Sequence, residues 1–327
     1  MKMLYEKMLL CRRFEEKAAV AYGTGKIGGF CHLYIGQEAV AAGALCMLRK
    51  TDYAIAAYRE HAHAILKGID PKYVMAELYG KVTGSSRGKG GSMHIFDMDC
   101  RFLGGHGIVG GQIPIAAGAG FSIKYRKTDD VVVCFFGEGA IHQGVFHESM
   151  NLAALWHLPV IFICENNRYG MGTSLERASS IYDLSKKALA YEMERGVVDG
   201  MDAVNVWERV SEAVDYARHT KKPTLLEART YRFRGHSMSD PATYRTKDEL
   251  NEMKSRDPIS LQKELLVAQK LVDEAWFEEV DKKVKAEMEV VMRFAEESPD
   301  PDLAELHDHV LVEPEEQSQR EGAKSDG

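Results

Sequence analysis

The run Val131-Val132-Val133-Cys134-Phe135-Phe136, followed by Gly137-Glu138-Gly139, decides the fold. Six consecutive apolar residues leave no polar face, the pattern of a parallel strand covered on both sides. A helix is predicted from about His142 to Trp156, where Phe146, Met150 and Ala153 recur at helical spacing. Val160 to Cys164 is the next apolar run and ends at Glu165-Asn166-Asn167. Strand, helix and strand in this order predict a right-handed βαβ unit. A helix near Val206 to His219 and a strand from Leu225 to Arg229 continue the alternation. The expected fold class is α/β, a doubly wound and mostly parallel sheet.

Working outward, helices are predicted over Met1 to Tyr22, Gly36 to Leu48 and Asp70 to Leu78. Between Val82 and Gly111 the chain is rich in glycine, which signals tight turns or close backbone approach to another group. Beyond Ser239-Asp240-Pro241 the pattern turns helical. Asp257-Pro258 reads as an N-cap followed by proline at the first helical position. Val280, Val284, Met288, Val291 and Ala295 then share one face of a long helix. The expected organisation is an α/β domain over 1–245, a C-terminal helical arm over 246–299 and an acidic, flexible tail over 300–327.

The tail holds nine Asp or Glu against two Lys or Arg, which equals the whole formal net charge of −7. The body is thus near neutral, and no nucleic-acid partner is expected. No apolar run is long enough for a membrane span, so no membrane partner is expected either. The six cysteines form no CxxC pair, and four lie among apolar neighbours, as buried reduced thiols do. The first residues, with early acidic side chains and no apolar core, argue against a signal or transit peptide. A cytoplasmic, bacterial-type location is expected, with an organelle matrix as the alternative for a processed chain.

Chemistry is expected at the carboxyl ends of the two apolar strands, where ligands bind in parallel α/β sheets. Gly137-Glu138-Gly139 and Asn166-Asn167 stand at those ends. Glycines admit phosphate oxygens to the backbone, and the helix that follows offers N–H donors to an anion. A carboxylate from Glu138 and a carboxamide from Asn167 suit Mg²⁺, a hard cation able to bridge two phosphates. A dinucleotide fingerprint would need glycine at His142. A P-loop over Gly84 to Gly90 has the wrong spacing and no Ser or Thr after Lys89.

Gly-Glu-Gly followed at 29 positions by Asn-Asn resembles the signature of thiamine diphosphate enzymes. Further stretches sharpen the likeness: Gly29 to Glu38 (GFCHLYIGQE), Tyr58-Arg59-Glu60-His61, Gly88 to His94 (GKGGSMH), Glu165 to Thr173 (ENNRYGMGT) and Arg234 to Pro241 (RGHSMSDP). Together they resemble the alpha subunits of pyruvate dehydrogenase complexes, along nearly the whole chain from Tyr5 to about His309. That resemblance implies Mg²⁺ ligands at Glu138, Asn167 and the carbonyl of Tyr169. It implies cofactor contacts at Tyr58, Arg59, Gly137, Gly139 and Ala140, with backbone contacts to the aminopyrimidine ring around Gly107 and Val109. His236 and Arg232 would be catalytic, lining the channel, and Ser237 matches a position that kinases phosphorylate in mitochondrial members. His61 would line the diphosphate side, with His63 an ordinary helical residue.

The implied activity is oxidative decarboxylation of pyruvate with reductive acetylation of a lipoyl group. The implied partners are a beta subunit, in an α₂β₂ heterotetramer that supplies the glutamate activating the cofactor ring, and a lipoyl-bearing dihydrolipoamide acetyltransferase. The alternatives are an acetoin or branched-chain 2-oxoacid dehydrogenase alpha subunit, or a non-catalytic subunit with a disabled metal site. One residue departs from the family pattern: glutamate stands at 138 where the family carries aspartate. Its arm is one methylene longer, and Mg²⁺ demands near-octahedral geometry.

Overall fold

The computed structural model describes residues 1–308 and 310. Its centre is a six-stranded sheet, all parallel, built from β1 (Tyr53–Ala57), β2 (Phe102–His106), β3 (Val132–Gly137), β4 (Val160–Asn166), β7 (Glu194–Asp199) and β8 (Thr224–Arg229). The spatial order is β2-β1-β3-β4-β8-β7. A two-stranded antiparallel hairpin, β5 (Tyr169–Gly170) with β6 (Thr173–Ser174), hangs from the end of β4.

Alternation along the central strands explains their uniform hydrophobicity. Val133, Phe135, Ile161 and Ile163 point into one core layer. Val132, Cys134, Phe136, Val160, Phe162 and Cys164 point into the other. Both faces are buried, so no polar position is tolerated in either strand. The first layer is covered by α1 (Lys2–Gly23), α2 (Glu38–Leu45), α3 (His61–Lys67), α4 (Pro71–Leu78) and α8 (Ala203–Thr220). The second is covered by α5 (Gln112–Arg126) and α6 (Gly144–Leu155), with the short α7 (Leu175–Ala178) beside them.

Helix starts follow their caps. Asp70 accepts the N–H of Lys72 with proline at the first position of α4, and Asp202 accepts those of Val204 and Asn205. Toward the C-terminus lie α9 (Lys247–Lys254), α10 (Pro258–Ala268), capped by Asp257, and α11 (Glu274–Glu297). All five residues predicted to share the α11 face are buried. That face packs on α1 and α4, so α11 completes the main core and has none of its own.

The acidic stretch begins as a defined turn. Asp300 pairs with Lys81 at 2.7 Å, Glu305 with Arg87 at 2.5 Å, and Lys89 donates to the carbonyls of Glu305 and Asp308. Residues 309 and 311–327 of the expected tail lie outside the described residues. All six cysteines are free, four of them buried. Among the described residues no helix is long and apolar enough to cross a membrane.

Candidate active site

Strand order sets the place of the site. The chain leaves β1 for β2 on one side and returns to β3 on the other, and a parallel sheet opens a crevice at such a reversal. A cleft of about 240 Å³ lies there, lined by residues following β1 (Tyr58, Arg59), β3 (Gly137, Glu138, Gly139, Ala140) and β4 (Glu165, Asn167). Register then brings the two motifs together: Gly137 pairs with Glu165, so the next residues of each strand end face one another.

Glu138 is 3% exposed. Its Oε2 accepts the N–H of Asn167 at 3.3 Å, and Oε1 is buried with no partner. Burial raises its pKa, opposed by a backbone hydrogen bond and the charge of Arg232. Asn167 Nδ2 donates to Gln37 Oε1 at 3.0 Å, which turns Oδ1 toward Arg232. The carbonyl of Tyr169 also accepts from Arg232, while the Tyr169 hydroxyl is drawn away to Glu249. Two non-glycine residues hold left-handed conformations around this turn, Arg168 at φ 74° and Met171 at φ 53°. Such strain is stored where a backbone group must face a set direction.

Two buried cations face the same cleft. Arg59 donates to the carbonyls of Leu33 and His236, both at 2.7 Å. Arg232 donates only to oxygens of amide, carbonyl and hydroxyl groups. Neither has a carboxylate at ion-pair distance among the described residues. Burial and the neighbouring charge of Arg232 push Arg59 down to about 10. A buried guanidinium without a counter-charge is costly, and an anion in the cleft would relieve both.

His236 lies in the wall between this cleft and a second cavity of about 540 Å³, lined by Phe30, His32, Met171, Ser237 and Tyr244 among others. Its loop is organised by Asp240, whose carboxylate accepts the N–H groups of His236 and Ala242 and the Tyr244 hydroxyl. Gly235 is needed for that closure, because a Cβ there would collide with the Asp240 carbonyl. Burial and the charges of Arg59 and Arg232 push His236 down to about 4. His236 is therefore neutral at pH 7, and its Nδ1 is buried without a partner. Ser237 is buried, its hydroxyl 3.0 Å from that of Ser239.

The cleft thus gathers Tyr58, Arg59, Val109, Gly137, Glu138, Gly139, Ala140, Asn167, Tyr169, Arg232 and His236. Gly107 is not among the residues lining this cleft and lies beside the ring of His94, whereas Val109 and Gly110 line its edge. His61 is corrected. It is fully buried between Glu15, at 3.0 Å, and the Ser92 hydroxyl, at 2.8 Å, away from the cleft. His63 packs in the core against Tyr34 and Phe135.

Sequence reasoning missed Gln37, Gln112 and His32 as site residues. Gln37 orients Asn167. Gln112 opens α5 with Oε1 unpartnered, and its signal was a lone polar residue between Gly110-Gly111 and an apolar helix. His32, pushed down to about 2 by burial and the Arg59 charge, packs 5.1 Å from the His236 ring.

The donor set suits Mg²⁺ with a diphosphate: one free carboxylate oxygen, a carboxamide oxygen and a carbonyl, with two cations beside them. Among the described residues no cluster of three or more His, Cys, Asp or Glu could hold a metal. A softer ion such as zinc is not served.

Residues 6–304 match the dehydrogenase E1 component family. The chain is 48% identical over 306 residues to the pyruvate dehydrogenase E1 component subunit alpha of Rickettsia felis, covering 94% of each protein. It is 48% identical over 309 residues to the protein of that name from Rhizobium meliloti, covering 94% of this chain and 89% of that one. A chloroplastic subunit alpha-3 from Arabidopsis thaliana is 45% identical over 317 residues, 95% of this chain and 74% of that protein.

Proposed function

Since the chain belongs to the dehydrogenase E1 component family, we propose that it is the alpha subunit of a pyruvate dehydrogenase, dependent on thiamine diphosphate and active as part of the complex. The observation that carries its share of the chemistry is the pair of buried guanidinium groups, Arg59 and Arg232, facing the unpartnered Oε1 of Glu138. Buried cations with no carboxylate at ion-pair distance among the described residues, beside a carboxylate oxygen that has no partner, suit a metal-bound diphosphate better than any neutral ligand.

Glu138, Asn167 Oδ1 and the Tyr169 carbonyl would hold Mg²⁺, with Tyr58 and Arg59 on the diphosphate and Gly137, Gly139 and Ala140 giving it room. When bound, thiamine diphosphate supplies the nucleophilic carbon and the electron sink for decarboxylation. Val109 would support the aminopyrimidine ring at the exposed rim, where Ile108 is 77% exposed and a beta subunit would close the site. Neutral His236 offers Nδ1 as a proton donor or acceptor, according to its tautomer, at the wall between the two cavities. The second cavity would admit the lipoyl arm of a dihydrolipoamide acetyltransferase. A bacterial-type cytoplasmic setting accords with the Rickettsia and Rhizobium relatives.

The test is co-expression with a pyruvate dehydrogenase beta subunit and measurement of pyruvate-dependent CO₂ release with thiamine diphosphate and Mg²⁺. Release that requires both subunits is expected. A formed tetramer that releases CO₂ only from a branched 2-oxoacid, or that acts only on acetoin, would overturn the assignment to pyruvate.

A further inference from the structure

Arg232 occupies the position of a cation among metal donors. The residue is 2% exposed, and Nη1 donates to Asn167 Oδ1 and to the Tyr169 carbonyl, each at 3.1 Å. These are two of the three oxygens assigned above to Mg²⁺. The rest of the guanidinium is anchored elsewhere: Nη2 donates to the Met171 carbonyl at 3.0 Å and the Tyr244 hydroxyl at 2.8 Å, and Nε to the Arg234 carbonyl at 3.3 Å. Glu138, the third donor, makes no hydrogen bond to it; its Oε2 is on the Asn167 N–H and its Oε1 is free.

One nitrogen therefore spans a side-chain oxygen and a main-chain oxygen two residues apart and holds both at one spacing. We infer that Arg232 is a positioning residue that stands in for the metal before loading, and that it yields these oxygens only to a metal ion arriving with a diphosphate. The inference rests on the metal–diphosphate reading of the cleft. A divalent cation alone would meet a buried like charge and would leave the Nη1 N–H groups it displaces without an acceptor, and both terms oppose binding. A diphosphate brings acceptor oxygens that match the guanidinium fork, so the N–H group released from Asn167 and Tyr169 is satisfied again. Metal and diphosphate then load as a coupled pair, and the coupling is reciprocal.

The measurement uses the chain assembled with its beta subunit. Mn²⁺ binding is followed by electron paramagnetic resonance with no phosphate present, and thiamine diphosphate binding by calorimetry at saturating Mg²⁺. The unsubstituted assembly should bind Mn²⁺ weakly alone and thiamine diphosphate well. Arg232→Gln should bind Mn²⁺ alone about tenfold more tightly and thiamine diphosphate about tenfold less tightly, the usual scale of such coupling. Mn²⁺ binding unchanged or weakened in a folded, assembled Arg232→Gln would overturn the inference and leave Arg232 a structural residue. Should that variant fail to assemble, Arg232→Lys keeps the charge but cannot reproduce the fork, and lies between the two in Mn²⁺ affinity. An Arg232→Lys value equal to the unsubstituted one overturns the inference as well. Failure of the unsubstituted assembly to bind thiamine diphosphate with Mg²⁺ would instead reject the reading of the cleft itself.

Discussion

Glu138 and Asn167 meet across two neighbouring strand ends: Oε2 of the first accepts the backbone N–H of the second at 3.3 Å, while Oε1 stays free. The longer arm of glutamate lets one oxygen fold back on the backbone and still leaves the other toward the cleft. Aspartate there would keep its charge nearer its own strand end. Glu138→Asp should bind thiamine diphosphate with Mg²⁺ at least as tightly as the unsubstituted assembly, measured by calorimetry. Glu138→Ala should lose roughly 100-fold, as removal of a charged partner worth about 3 kcal/mol predicts. Much weaker binding by Glu138→Asp would contradict this account of the arm.

Arg59 joins three parts of the site, holding the carbonyls of Leu33 and His236 while lining the cleft. Lysine in its place keeps the charge but cannot span two carbonyls in a fixed fork. Arg59→Lys should weaken thiamine diphosphate binding about tenfold, or about 1.4 kcal/mol. Equal affinity would mean that Arg59 serves only the loop around His236.

His236 should titrate near 4, well below the ordinary 6.5. Nuclear magnetic resonance of the ring checks this directly, and a midpoint near 6.5 would contradict its burial between two cations. The depressed value carries a sign for stability. Above pH 6.5 the ring is neutral folded or unfolded. Between 6.5 and 4 the unfolded chain takes up a proton that the fold refuses, so stability falls with pH and then levels off. Allowing for solvent on its partly exposed edge, the loss is about 1 kcal/mol, and His236→Gln should remove it.

Met288 is fully buried in the face of α11 that packs on α1 and α4. Met288→Ala should destabilise the chain by about 2–4 kcal/mol through lost burial and a cavity, seen as a lower unfolding midpoint. An unchanged midpoint would show that α11 is not part of the core.

The central sheet could be read from the chain because strands buried on both faces leave an unbroken apolar signature, as in Val132 to Phe136. Most of the cleft could be read as well, since glycine, carboxylate and carboxamide cluster at strand ends whose register the pattern implies. Direction is harder to see. His61 follows Arg59 by two residues, yet it opens α3 and turns inward to Glu15, 46 positions away. Gly107 and Val109 are also two residues apart, and only the second reaches the cleft. Gln37 matters through its hold on Asn167, 130 positions distant, a pairing that no local pattern carries.

The central claim is that this cleft takes the metal-bound diphosphate end of thiamine diphosphate. Calorimetric titration of thiamine diphosphate into the assembled alpha and beta subunits, with and without Mg²⁺, tests it most directly. The account predicts saturable binding that requires Mg²⁺ and drops sharply in Glu138→Ala. Binding that is indifferent to Mg²⁺ and to Glu138, or no binding by a properly formed assembly, would contradict it.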